Sequence, residues 1–128
     1  MGEPVPGTLA AVERHGAVRD EDVRALVRTL LEHQDFERRR ELLDQVQDLE
    51  YVGGPVTFMQ LRVDRRRTPA KAESPVPNRA TVLDDAGEPL GGLLLWLDAQ
   101  GYIDSLEYYW FEGDPPTRLP KPHQIFHD

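Results

Sequence analysis

The hydrophobic period of this chain changes once, at Gly53-Gly54-Pro55, and that change restricts the fold more than any other feature. Before it, DEDVRALVRTLLEHQ places Val23, Leu26, Val27, Leu30 and Leu31 at i, i+3, i+4, i+7 and i+8, one apolar stripe on a helix. Asp20 reads as the N-cap, with Glu21 and Asp22 favourable in the first turn. DFERRRELLDQVQDL reads as a second helix with Asp35 as its candidate cap, Phe36, Leu43 and Val46 facing inward, and Leu42 and Leu49 as further inward positions. After the glycine pair, VTFMQLRVD alternates with a period of two, which is a strand. RATVLDD, GGLLLWLD and GYIDSLEYYWF follow as three more. The last two are joined through DAQG in a hairpin whose turn uses a left-handed Gly101 and Asp98 as a cap. Two helices followed by about four strands predict an α+β fold, with both helices packed on one face of an antiparallel sheet.

A chain of 128 residues is the size of one domain. Residues 1–19, broken by Pro and Gly and without a sustained period, read as a mobile arm or short helix ahead of a single domain over 20–128. Residues 65–78, RRTPAKAESPVPN included, hold three prolines and read as a long flexible loop. The tail EGDPPTRLPKPHQIFHD has four prolines and is expected to leave the sheet and run extended across the surface.

The net charge of -8 is unevenly placed. Residues 1–79 carry 14 acidic and 13 basic side chains, whereas residues 80–128 carry 9 acidic and 2 basic. A negative surface repels phosphates and steers basic proteins, so nucleic acid is not an expected ligand and a basic protein partner is. There is no cysteine, which excludes disulfides, thiolate metal sites and Cys nucleophiles. Neither a signal-peptide pattern nor a membrane-length apolar run is present, and the expectation is a soluble, cytoplasmic protein, monomer or homodimer.

No phosphate-binding glycine loop and no nucleophile elbow occurs around the two serines, Ser74 and Ser105. His123 and His127 have the i,i+4 spacing of a metal pair, but Pro120 and Pro122 work against a helix there. The expectation is therefore no catalytic residue, no metal and no cofactor. What remains is Gly91–Pro116, which holds six of the ten aromatic residues interleaved with carboxylates. Most of that apolar surface must be buried, and Leu93, Leu95, Leu97, Leu106, Tyr108 and Trp110 are expected to pack against Val27, Leu30, Leu43 and Val46. Asp104, Glu107, Tyr109, Glu112 and Asp114 are left as candidate partner-binding residues, since Tyr beside carboxylates is typical of interface anchors. The alternative is a small enzyme or accessory domain of a biosynthetic pathway that holds an anionic small molecule on Arg62, Arg65, Arg66 and Arg67.

The run GGLLLWLDAQGYIDSLEYYWFEGDPPTRLPKP, with SPVPN and ELLDQVQDLEYVGG upstream, resembles a family of small actinobacterial α+β proteins, a domain of unknown function. Where relatives of that kind carry a cysteine-rich turn, this chain has YVGGPVTF, so no metal or redox role is carried over. Small size, acidity and a single domain are also similar to immunity proteins that neutralise toxins. That likeness is one of class and implies non-enzymatic binding to a partner protein.

Overall fold

Residues with helical period fold as helices, but their ends differ from the sequence reading. The computed structural model describes residues 18–33, 35–77 and 79–127. The arm expected over 1–19 thus lies outside the described residues except for Val18 and Arg19. Helix α1 (Asp20–Glu32) buries the expected stripe of Val23, Leu26, Val27, Leu30 and Leu31. Its N-cap is Arg19, not Asp20; the Arg19 carbonyl accepts the Asp22 and Val23 amides. Asp20 sits one residue inside the helix, where its carboxylate accepts the Tyr51 amide at 2.9 Å and ties the helix start to the first strand.

Helix α2 (Arg39–Val46) is shorter than the sequence reading, because Arg38 adopts a left-handed φ of 74° and delays its start. Asp35 is not its cap, and lies 3.9 Å from the Arg39 guanidinium. The helix buries Leu42, Val46 and a polar residue, Gln45, while Leu43 is only partly buried.

The sheet has six strands rather than about four, antiparallel throughout, in the order β1-β2-β5-β4-β3-β6. They are β1 (Glu50–Gly53), β2 (Phe58–Arg62), β3 (Ala80–Leu83), β4 (Pro89–Leu97), β5 (Ile103–Trp110) and β6 (Ile125–His127). The two added strands lie at the edges. β1 begins at Glu50, just beyond buried Leu49, and turns back onto β2 through the glycine pair. β6 comes from the tail that was expected to leave the sheet. Its prolines end at Pro122, inside a single 3-10 turn over Pro122–Gln124, and the proline-free IFH then has every amide needed to pair with β3.

The β4–β5 hairpin forms as expected. Asp98 Oδ1 accepts the amides of Gln100, Gly101 and Tyr102 at 2.9, 3.0 and 3.0 Å, and Gly101 takes a φ of 103°. Burial opposes the Asp98 charge. The Tyr102 amide, Arg65 and the Gln100 amide outweigh it and hold the carboxyl below its ordinary range. Of residues 65–78, expected as a flexible loop, the described 65–77 bond to this hairpin at three places: the Ala70 amide donates to Gly101 O, the Val76 amide to Leu95 O, and Ser74 Oγ accepts the Leu97 amide. Gln45 completes the junction, donating to Thr68 O and Gly101 O and accepting the Ile103 amide.

One buried cluster joins the helical stripe to Met59, Leu61, Val82, Leu93, Leu95, Leu97, Leu106 and Tyr108. Trp110 does not join it and stays 39 % exposed, with its indole N–H donating to Gly113 O. The register supplies the reason: Trp110 stands opposite Gly91, which has no side chain to pack against it. No helix among the described residues is long and apolar enough to cross a membrane.

Candidate functional site

Directly paired residues of antiparallel strands project to the same face, so the register sorts the side chains. On the inner face lie Met59, Leu106 and Leu95 in one row and Leu93 and Tyr108 in the next, all buried. The outer face carries Phe58, Glu107 and Leu94 in one row, and Gln60, Ser105 and Trp96 in another. Tyr109, Gly92, Thr81 and Phe126 make a third that runs across four strands.

This outer face mixes polar residues with apolar ones that are left exposed. Phe58, Tyr109 and Phe126 are 40, 40 and 52 % exposed, while Leu94 and Trp96 are half-buried. Its aromatic groups are held in place. The Trp96 indole donates to Glu107 Oε1 at 3.1 Å, which fixes ring and carboxylate against each other on adjacent strands. Tyr109 lies over Gly92, where an added Cβ would collide with the phenol ring, and meets Phe111 edge-on at 6.0 Å. At one sheet edge Arg62 pairs with Glu50 across β1 and β2.

Of the residues expected to meet a partner, Glu107 and Tyr109 share this face. Asp104 is exposed at the bulge where β5 begins, and Glu112 and Asp114 are exposed just past its end. Asp104, Glu112 and Asp114 therefore bracket the aromatic strip rather than forming one cluster, with about 20 Å of strand between Asp104 and Trp110. Phe58 and Phe126 lie outside the aromatic-rich stretch Gly91–Pro116. The alternation of Phe58 with buried Met59 is the signal that would have found the first; β6 is too short to give such a signal for Phe126.

The four arginines of the alternative reading do not converge. Arg62 faces Glu50, Arg65 faces Asp98 at 2.7 Å and stacks on Tyr102, Arg66 faces Asp64 at 2.7 Å, and Arg67 reaches Asp44 and Asp48. The Arg66 side chain and then its amide hold the Asp64 carboxyl down at about 2. No group of three or more metal-ligating side chains lies together among the described residues. His127 instead stacks on His33 with ring centroids 4.1 Å apart. Comparison of the chain with family models, with curated proteins and with solved structures gave no match.

Proposed function

We propose that this chain is a non-enzymatic protein-binding domain that presents the outer face of its sheet to a basic partner, in the manner of an immunity-type inhibitor. Its two helices are read as covering the inner face only, with the Pro-rich tail ending the fold. The observation that carries the reading is that Phe58, Tyr109 and Phe126 are all left exposed on one face of the sheet. Exposed apolar patches with polar rims are where soluble proteins meet partners. The partner is basic because residues 80–128 carry 9 acids against 2 bases, with Asp104, Glu112 and Asp114 exposed at the two ends of β5. An anionic-ligand enzyme built on Arg62, Arg65, Arg66 and Arg67 has less support, since each of these guanidiniums already faces a carboxylate of its own chain.

Photo-crosslinking from position 58, with exposed Lys71 as the control position, tests the proposal in the intact chain. The expected result is a discrete adduct to one basic protein from position 58 alone, lost in Glu112→Lys/Asp114→Lys and weakened as salt rises. Adducts shared with position 71, or an adduct only to a second copy of this chain, would overturn it.

A further inference from the structure

The basic residues at 62–67 are spent on internal ion pairs, whereas the two basic residues of the acidic segment, Arg118 and Lys121, make none among the described residues. Both lie in RLPKPH, where Pro120 and Pro122 restrict the backbone and so limit how far the side chains' anchor points can wander. Both also line a groove of about 530 Å³ whose other walls include Leu90, Tyr108, Pro116, Leu119 and Asp85. That volume is in the range of small-molecule sites.

Tyr108 also lines the groove. The residue is only 4 % exposed, but its hydroxyl is not among the buried polar atoms that lack a partner, so it reaches the groove surface and can donate to a ligand there.

We propose that this groove binds a small organic carboxylate with an apolar body, its carboxylate held by Arg118 and Lys121 with the Tyr108 hydroxyl as a further donor. The charge count selects the ligand class. Two cations on the lining face one carboxylate, Asp85, so the lining is net positive and suits an anion; the apolar wall then decides which anion. Leu90, Pro116, Leu119 and Pro120 offer the apolar wall that a carboxylic acid's body needs and inorganic phosphate cannot use. Gln124 is a supporting group rather than a free donor. Its amide nitrogen already donates to Leu83 O and its oxygen accepts the Lys121 amide, which fixes the turn that carries Lys121. This site does not depend on the outer face of the sheet and stands or falls separately from it.

Amide-resolved NMR titration of the intact chain with octanoate and 3-phenylpropanoate tests it, against octanamide and inorganic phosphate. The expected result is saturable shifts confined to the segment around Tyr108 and residues 116–124 with both acids. Arg118→Ala or Lys121→Ala should weaken binding about five-fold or more, the loss of one charge-assisted contact. Tyr108→Phe should weaken it about three-fold, as loss of one hydrogen bond does. Both cations are exposed, so their variants fold; if Tyr108→Phe unfolds, the two charge variants still decide. Octanamide binding as tightly as octanoate, phosphate binding more tightly than either acid, or no saturable shift with either acid would overturn the proposal. Phe58→Thr should leave the titration unchanged.

Discussion

Gln45 shows how one side chain can hold a junction together. It is fully buried, and its amide serves Thr68 O, Gly101 O and the Ile103 amide, three backbone groups of segments far apart in sequence. Replacing it by Leu keeps the volume but leaves the buried Ile103 amide without its partner, while Gly101 O keeps the Ala70 amide and Thr68 is exposed to water; one buried orphan costs about 1 to 3 kcal/mol. Gln45→Leu is therefore expected to lower stability by about 1 to 3 kcal/mol in urea unfolding; no measurable loss would mean that the junction holds without it. Nothing in RELLDQVQDL marks this glutamine, because a polar residue in a helical pattern reads as solvent-facing until its partners are known. The apolar stripe of α1 was legible for the opposite reason: its five residues need only a common core, not a specific partner. Trp110 misled because burial was judged from residue type, while its exposure is decided by the glycine across the strand.

At the scale of elements, the strands with strong alternation or a turn signature were legible, and the two edge strands were not. β1 and β6 have 4 and 3 residues, too short for a period to show, and each exists only because a longer neighbour supplies the pairing. β6 has a second tie in the stack of His127 on His33, next to the end of α1. Both nitrogens of His127 are buried and unpartnered among the described residues, and burial, with the His33 charge adding to it, lowers the pKa of His127 below 6.5. Below 6.5 the unfolded chain takes up this proton before the folded one does, so stability present at neutral pH is lost as pH falls through that window. His127→Phe keeps an aromatic ring on His33 and removes the titration. Its urea midpoint is expected to fall less between pH of about 7.5 and 5.5 than that of the unaltered chain. Equal falls in the two proteins would place the pH dependence elsewhere.

For the whole molecule, the position of the β4–β5 hairpin decides which surfaces can act. Both of its strands have neighbours on each side, so no hairpin edge is free to pair with a second copy. The free edges are β1, which carries a bulge, and the three-residue β6, and short or irregular edges resist sheet extension. What the molecule offers instead is a face. That face was only half legible in the sequence, because Glu107 and Tyr109 are adjacent in pattern whereas Phe58 and Phe126 reach them through the register of four other pairings. If its aromatics serve recognition rather than folding, their removal should hardly change stability. Phe58→Thr/Phe126→Thr, which keeps residues suited to strands, is expected to change unfolding free energy by less than about 1 kcal/mol. Leu106→Ala, on the inner face of the same sheet and fully buried, should cost about 2 to 5 kcal/mol. Urea unfolding of the two variants side by side makes the comparison. Similar losses would show that both faces hold the fold, and would leave Phe58, Tyr109 and Phe126 without a claim to a partner.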